Sequence, residues 1–501
     1  MSAYNKQILL ESIVNIAPGS GTAEQESDDD DKFLKNFLPI PDYRHVLDPN
    51  ILLVLGGRRA GKTELFRLLA IPTGRESLVA SLGVKSLPDL AQTTWIAGFG
   101  RTRKKEQRFP IPETVEKEMA NATNISWRSF WIGLVIGVLL QHEKFKFEVF
   151  LNDRIARINP DLIRILKEEL SRLSMWKSMV DDHLEELNAV LDELDNQLTK
   201  SDDWLFVTYD ELDLLVASYT ALAMPIRELL ALWLDRSRRW DRIRPKIFLR
   251  VDLFRDDFLS FPDASKLKAH QTKLEWKHSW LYQLLVKRLA NSSNEMQEYL
   301  QEISGLIGES KTELGLTASL SEELFEKIIE RMIGKYMGAN AKKGITYRWI
   351  PNHLQDAGGR IAPRSFLKLF SLAAQQRMDN ISSITQNTVL LQPSDLQGAL
   401  MKTSEDRIQE LQEEYPWLES LKTSLVDLTA PIQKDILLER VAATHWISAK
   451  QQPPVSTPEG ILQYLLQLGI VESRFDGRIN MPEIYLYGFG VKRKGGVQRP
   501  Q

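Results

Sequence analysis

The chain has 501 residues, of which 43% are hydrophobic and 26% charged, and its formal net charge at pH 7 is −3. These values are ordinary for a globular protein and predict about two to four domains, and the small negative charge excludes a globally basic nucleic-acid-binding protein. The chain contains no cysteine, which excludes disulfides, thiolate zinc sites and cysteine nucleophiles and fits the reducing cytoplasm in which we expect it to act.

The N-terminal residues 1–32 are predicted to form a short arm followed by an acidic linker. They lack a basic flank before a long apolar core, so no signal peptide is predicted. Residues 18–31 are small, polar and acidic and indicate a disordered linker, for which a solvated loop is favoured over an interaction site. Residues 130–140 are the most apolar stretch but are too few to span a bilayer, so they predict a buried helix and no membrane contact.

A nucleotide-binding core is predicted at residues 33–277, because it contains a complete match to G-x-x-x-x-G-K-[ST]. An apolar run precedes the motif and apolar residues at helical spacing follow it, which distinguishes a phosphate-binding loop from a glycine-rich turn before an ordinary helix. The glycines let successive N–H groups point at phosphate oxygens, and the helix N-terminus adds partial positive charge. The predicted nucleotide contacts are Gly56, Gly57, Arg58, Arg59, Ala60, Gly61, Lys62, Thr63 and Glu64.

The chemistry of this loop predicts ATP and Mg²⁺ as cofactors, although the motif itself does not distinguish ATP from GTP. Lys62 is predicted to contact the β- and γ-phosphates, and the Thr63 hydroxyl to ligate Mg²⁺.

Thr93–Phe99 is predicted to be a second core strand, and the basic residues 101–105 after it either touch a phosphate backbone or, as we favour, form a solvated loop. A helical insertion is predicted at about residues 155–200. Leucines and one valine there follow a heptad spacing, which predicts either a coiled-coil hairpin or a long amphipathic helix packed on the core. The positions are Leu166, Leu170, Leu173, Val180, Leu184, Leu187, Leu191, Leu194 and Leu198.

Residues 204–213 form a hydrophobic strand that ends in acidic side chains, as the second half of such a nucleotide site requires. Asp210 is predicted to hold Mg²⁺ through water, and Glu211 to orient and polarise the attacking water. Asp213 could support either role. The alternative is a buried strand followed by a solvated acidic turn.

Another core strand is predicted at residues 245–255, where Arg250 or Asp252 could sense the γ-phosphate and Arg250 is the candidate catalytic arginine. Five arginines lie just upstream: Arg236, Arg238, Arg239, Arg242 and Arg244. One of them could reach the nucleotide of a neighbouring subunit, or all of them could complement a helix dipole, and both readings stay open.

Residues 273–276 are predicted to be the last core strand, and residues 278–380 to form a helical lid that contains Gly358, Arg360 and, at the start of a helix, Pro363, Arg364 and Ser365. This order of motifs resembles the AAA+ and STAND-type ATPases, including origin-recognition-like and archaeal-type members. The resemblance implies an α/β fold with a P-loop NTPase core, in which helices flank a parallel sheet. It also implies a homo-oligomer and a lid arginine on the γ-phosphate, for which Arg364, or else Arg360, matches by position. The long insertion and the unassigned arginine finger depart from the family pattern.

Residues 381–427 are predicted to be a helical connector, and residues 428–501 a winged-helix-like module with a basic tail. The module reads as three helices and a β-ribbon, with a helix stop at Gly469, a hairpin turn at Asp476 and Gly477, and a return strand from Ile479. The tail carries Lys492, Arg493, Lys494 and Arg499, which could contact phosphates or a protein partner.

These observations predict an ATP-hydrolysing molecular switch that couples nucleotide state to assembly or to a protein partner encoded nearby. The layout, without an attached effector domain, suggests a bacterial system such as phage defence. One alternative is a DNA-binding ATPase, a loader or transposition regulator that uses the winged helix. Another is a scaffold that binds nucleotide without turnover.

Overall fold

The computed structural model describes residues 4–17, 29–84, 88–101, 108–216, 219–254, 259–309, 312–379, 389–446 and 452–494. The chain divides into two compact units. The core unit comprises Thr22–Glu275 and Lys311–Leu314, and the helical unit comprises Met1–Gly21, Trp276–Ser310 and Gly315–Gln501.

The described strands are β1 (Leu53–Gly56), β2 (Thr93–Phe99), β3 (Trp204–Tyr209), β4 (Ile243–Arg250), β5 (Gln271–Leu274), β6 (Ile307–Gly308), β7 (Thr317–Ala318), β8 (Thr429–Ala430), β9 (Glu472–Ser473), β10 (Ile479–Asn480) and β11 (Lys492–Arg493). The described helices of the first half are α1 (Lys6–Val14), α2 (Asp30–Asn36), α3 (Arg44–Leu47), α4 (Lys62–Ala70), α5 (Pro72–Leu82), α6 (Pro112–Glu118), α7 (Asn124–Gln141), α8 (Glu148–Ile158), α9 (Pro160–Glu168), α10 (Leu173–Asp182), α11 (Leu184–Ser201) and α12 (Ala223–Arg239). Those of the second half are α13 (His278–Ala290), α14 (Asn294–Gln301), α15 (Glu322–Met332), α16 (Thr346–Leu354), α17 (Pro363–Asp379), α18 (Pro393–Glu414), α19 (Trp417–Leu425), α20 (Lys434–Ala442), α21 (Pro458–Gln467) and α22 (Glu483–Leu486).

A five-stranded parallel sheet organises the core unit, with the strand order β2-β3-β4-β1-β5. The inner strands are buried along their length because helices cover both faces of a parallel sheet, and their apolar runs are the sequence signature of that burial. The chain therefore has the α/β fold with a P-loop NTPase core that the motifs predicted. All five carboxyl ends meet at one edge, where the loop after β1 and the acids after β3 are found.

The predicted helical insertion is present as separate helices rather than as one. Nine heptad positions fall in α9, in the turn after it, in α10 and in α11, and eight of them are buried. They pack with the buried residues of α7 in one hydrophobic cluster. Both the coiled-coil hairpin and the single long helix are therefore wrong: the leucine spacing fits short helices that share a core equally well. The buried helix predicted at residues 130–140 is confirmed by α7.

The end of the acidic run is helical. Asp29 caps α2 by accepting the N–H groups of Asp31 and Lys32, so residues 29–31 are not part of a disordered linker. Residues 18–28 lie outside the described residues. Within the described ranges, none of the helices is both long and apolar enough to cross a membrane.

The helical unit joins the N-terminal arm to the predicted lid, since α1 packs on α17 and α14 and the Ser371 hydroxyl donates to the carbonyl of Val14. Helix α18 packs against both α17 and α22, so the C-terminal residues share a core with the lid. The hairpin of β9 and β10 confirms the predicted turn at Gly477, and Gly469, with a φ of 72°, confirms the stop after α21. In the described part of residues 428–501, two helices rather than three precede this hairpin.

Candidate nucleotide-binding site

The loop between β1 and α4 has the geometry of an anion cradle. Gly61, with a φ of 85°, precedes the first helical residue, and this left-handed conformation is one that glycine adopts without strain. Arg59, with a φ of 64°, is also left-handed, which is uncommon for a residue with a side chain and occurs preferentially at functional sites. The backbone N–H groups at the start of α4 have no partner within the helix, so they are available to an anion.

Lys62 is buried at the start of α4, and its amine turns back over the loop. Its Nζ donates to the carbonyl oxygens of Gly56 at 3.2 Å and of Gly57 at 2.9 Å. Burial lowers the pKa of Lys62, while the nearby Asp210 carboxylate favours the charged amine. An anion in the loop would therefore compete with the two carbonyls for a cation that is already desolvated.

Asp210 is the most perturbed acid at this edge of the sheet. It directly follows β3 and is almost fully buried, and this burial raises its pKa to about 7 against the opposing effects of the Thr63 hydroxyl, which donates to it, and of Lys62. Its Oδ2 atom is buried and has no hydrogen-bond partner among the described residues. A buried acceptor without a partner is costly, so this oxygen indicates a missing donor or cation.

These donors fit Mg²⁺. Mg²⁺ takes oxygen ligands and is usually bound through one or two carboxylates together with substrate phosphates, rather than by a cage of protein groups. Thr63 and Asp210 supply one hydroxyl and one carboxylate next to the loop, and the part of the chain that the structure describes holds no cluster of three or more acidic, histidine or cysteine side chains around a cation site.

Glu211 is held in an ion pair by Arg101, which sequence reasoning assigned to a basic loop. The backbone N–H and the Nε atom of Arg101 donate to Oε2 at 3.1 and 3.0 Å, and a further guanidinium nitrogen donates to Oε1 at 3.1 Å. Gly100, with a φ of 110°, turns the chain after β2, and a Cβ there would lie 3.1 Å from the carbonyl oxygen of Asp210. Of the basic stretch, residues 102–105 lie outside the described residues.

Arg250 ends β4 next to β1 and is buried between two acids. Its guanidinium donates to Asp213 at 3.0 Å and to both oxygens of Asp252 at 3.0 and 2.6 Å. Its positive charge lowers the pKa of the nearby Lys62. The two carboxylates fix its orientation, and Asp213 is thus a partner of Arg250 rather than of Asp210 in this structure.

The five upstream arginines have partners within the core unit. Arg238 pairs with Asp263, Arg239 with Asp192, and Arg242 with Asp202, while Arg236 contacts Asp235 and Asn188 and Arg244 donates to the Trp240 carbonyl. These contacts favour structural roles over a finger that reaches a neighbouring subunit.

The two lid arginines are also paired. Arg364 lies in the first turn of α17, as predicted, with its Nε atom 3.5 Å from Glu410, and Arg360 pairs with Asp356. They belong to the helical unit, whereas the loop belongs to the core unit, so the contact of Arg364 with a nucleotide stays a prediction.

No family model matches the chain, and no curated protein matches it. Two solved archaeal structures are similar to it. The ORC2 protein of Aeropyrum pernix, in ADPNP and ADP complexes, is 13% identical over 87% of this chain and 86% of that chain, with a TM-score of 0.35. Cdc6p from Pyrobaculum aerophilum is 14% identical over 96% of each chain, with a TM-score of 0.29. Because both TM-scores are below 0.5, neither similarity establishes a function for this chain.

Proposed function

We propose that this chain binds ATP in the loop from Gly56 to Thr63 and hydrolyses it with Mg²⁺. The observation that carries the proposal is Asp210, whose buried Oδ2 has no hydrogen-bond partner among the described residues while Thr63 donates to the same carboxylate beside the loop. A hydroxyl and an acidic oxygen at the mouth of a phosphate loop are the protein ligands that a nucleotide-bound Mg²⁺ requires.

We propose a role for each of the loop residues. The N–H groups of the loop and of the first turn of α4 hold the phosphates, and Lys62 exchanges the carbonyls of Gly56 and Gly57 for phosphate oxygens. Thr63 and Asp210 would hold Mg²⁺, and the ion would supply positive charge that offsets the charge of the phosphates.

Glu211 orients the attacking water and accepts its proton, which requires that one carboxylate oxygen leave Arg101. Arg250, fixed by Asp213 and Asp252, presents positive charge on the side of β1 that faces β4. Arg364 is proposed to complete the site from the lid.

The output of the switch is proposed to be assembly of identical copies or contact with a protein partner, and a phage-defence system encoding that partner nearby is the setting we propose. Such a switch requires that the ATP-bound and ADP-bound forms of the chain differ in their affinity for a second copy or for the partner.

The proposed activity is tested by measuring phosphate release from ATP and GTP with Mg²⁺ and after chelation with EDTA. We expect release from ATP that EDTA abolishes. Tight nucleotide binding without phosphate release would instead support the non-hydrolysing scaffold.

The raised pKa of Asp210 gives a prediction for the nucleotide-free chain in EDTA. The raised pKa means that folding favours the protonated acid, so this contribution to stability is present below the ordinary pKa of aspartate and is lost as the pH rises through about 7. Between the ordinary pKa of aspartate and about pH 7, we expect the melting temperature of the wild type to fall more steeply than that of Asp210→Asn, whose amide does not ionise. If the melting temperatures of the two proteins change equally with pH from pH 5 to pH 9, Asp210 is not an ionisable group that folding buries.

A DNA-binding ATPase is the second candidate, and one observation favours it. Phe475 at the tip of the β9–β10 hairpin is 97% exposed, so its aromatic ring is available to stack on a nucleic-acid base. The flanking Arg474 and Arg478 both pair with Asp476, which reduces the positive charge of the tip.

Removing residues 424–501 cannot test the C-terminal module by itself, because the module contributes buried contacts to the connector and to the lid. Gly488 donates to the hydroxyl of Ser404 in the connector at 2.8 Å, and Glu483 lies 3.3 Å from the buried His353 of the lid. We therefore predict the effect of Phe475→Ser, with Ile436→Ser as the control at another exposed apolar side chain. We expect ATP affinity to stay within about twofold in both, and partner binding to fall in Phe475→Ser only. Measured at several salt concentrations, a strong duplex affinity that falls steeply with salt and needs Phe475 would favour the DNA-binding candidate.

A further inference from the structure

A basic cavity lies at the edge of the sheet opposite the phosphate loop. Its volume is about 120 Å³, several times the ~15 Å³ that one water needs. It is lined where the central strands begin: Leu52 precedes β1, Arg244 is near the start of β4, and His270 precedes β5. Leu234 and Arg238 of α12 and the neighbouring Lys266 close it.

The cavity has an excess of positive charge. Arg238 and Lys266 share one carboxylate oxygen, that of Asp263, at 2.9 and 3.1 Å. Arg244 is the third permanent cation of the lining, and none of the residues that line the cavity is acidic. The ring of His270 uses its Nδ1 atom on the carbonyl of Asn50 at 2.8 Å, so its other nitrogen remains for a ligand.

Arg244 is the group that most indicates a ligand. Its guanidinium is half-buried, and burial lowers its pKa, yet no carboxylate of the described residues lies within 4.0 Å of it; its partners are the carbonyls of Trp240 and Ile243. The nearby Asp195 is occupied by three backbone N–H groups, those of residues 241, 242 and 243, at 2.8 to 3.0 Å. The other nearby acid, Asp241, is exposed. A desolvated guanidinium without a carboxylate is a strong donor for an anion.

The alternative is that these arginines only complement the C-terminal end of α12. That explains Arg238, which lies in the last turn of the helix, but not Arg244 or His270, which come from other elements. Three separate elements that direct cations into one concave volume favour a binding site.

We propose that this cavity binds a small phosphate-bearing anion, with Arg244 as its central contact and Arg238, Lys266 and His270 around it. Phosphate is favoured because its oxygens accept several donors at once in the fork geometry of a guanidinium. The apolar side chains of Leu52 and Leu234 leave room for the organic part of a phosphomonoester.

The experiment is calorimetric titration of the full chain, saturated with ADP so that the phosphate loop is occupied, with pyrophosphate and with ribose 5-phosphate. We expect the anion to bind in the wild type and the affinity to fall about tenfold in Arg244→Gln and in the exposed Lys266→Ala, as for the loss of one charge-assisted hydrogen bond. Arg242→Gln is the matched control: it removes the same charge two residues away, where Arg242 pairs with Asp202 and stacks on Trp204.

Ribose 5-phosphate binding more tightly than pyrophosphate would identify a phosphomonoester as the source of the phosphate, and the reverse would identify a free anion; both support the site. Three outcomes overturn the proposal. These are no binding to the ADP-saturated chain, equal losses in Arg242→Gln and Arg244→Gln, and a duplex oligonucleotide that needs Arg244 while neither small anion binds. ADP affinity, measured in the same variants, is expected to stay unchanged, so failure here is separate from failure of the proposed ATPase site.

Discussion

Lys62→Ala is expected to weaken ATP binding at least about a hundredfold, with loss of measurable hydrolysis, because the amine is the point charge on the β- and γ-phosphates. The nucleotide-free fold should survive the change. The folded state depresses the pKa of this buried lysine, so the charged amine costs stability at neutral pH, and its removal is not expected to lower the melting temperature. Fluorescent-nucleotide titration and thermal melting together measure both effects.

Lys273→Ala is the matched control, because Lys273 is an exposed lysine on the neighbouring strand β5 and its loss changes the net charge equally. We expect wild-type affinity in this variant. Unchanged ATP affinity in Lys62→Ala would exclude the loop as the nucleotide site, whereas a large fall in its melting temperature would mean that the bonds to Gly56 and Gly57 are mainly structural.

The local parts of the site could be predicted from the sequence because their signals are contiguous. An apolar strand, a glycine-rich turn and the residues Lys62 and Thr63 occur within a few positions, so the geometry of the loop follows from the motif. Asp210 follows its strand in the same way. Parallel strands bring their carboxyl ends to one edge, so the motifs predict Asp210 at the same edge as the loop, whereas the order that leaves only β4 between β3 and β1 could not be predicted.

The ion pair of Arg101 with Glu211 could not be predicted, because it depends on the pairing of β2 with β3 and on the turn at Gly100. A short stretch of sequence does not show which strand will pair with which, nor that the chain turns through a positive φ at Gly100. The cavity around Arg244 depends in the same way on three elements distant in sequence. A run of arginines predicts positive charge but not which of them find a carboxylate.

The heptad leucines show a different ambiguity. A spacing of three and four residues reports that one face of each helix is buried, and it does not report whether the helix continues. Here α9, α10 and α11 end at residue 168, at residue 182 and at residue 201, and each buries its own leucines against a shared core. Breaks of one to four residues keep the spacing nearly intact, so the periodicity survives while the long helix does not.

Glu211→Gln is expected to preserve ATP affinity within about threefold while slowing hydrolysis at least about a hundredfold, the scale of a lost general base. The amide keeps one acceptor oxygen for Arg101 but cannot take a proton from water. Single-turnover phosphate release with Mg²⁺ measures the chemical step, and equilibrium nucleotide binding measures affinity. The left-handed backbone at Glu211, with a φ of 53°, is strained for a residue with a side chain, as residues at functional sites often are.

Arg101→Gln separates the role of Glu211 as a base from its role in the ion pair. Loss of the cation should make the carboxylate harder to ionise, so the acidic limb of the pH–rate profile is expected to move to higher pH, while hydrolysis above that limb is retained. A Glu211→Gln variant that hydrolyses ATP at the wild-type rate would mean that another acid does the work. Asp213→Asn is then the next variant, although its carboxylate is bonded to Arg250 and would first have to leave it. If Arg101→Gln instead loses activity at every pH, as Glu211→Gln is expected to, the ion pair itself is required for turnover and Glu211 is a positioning residue rather than the base.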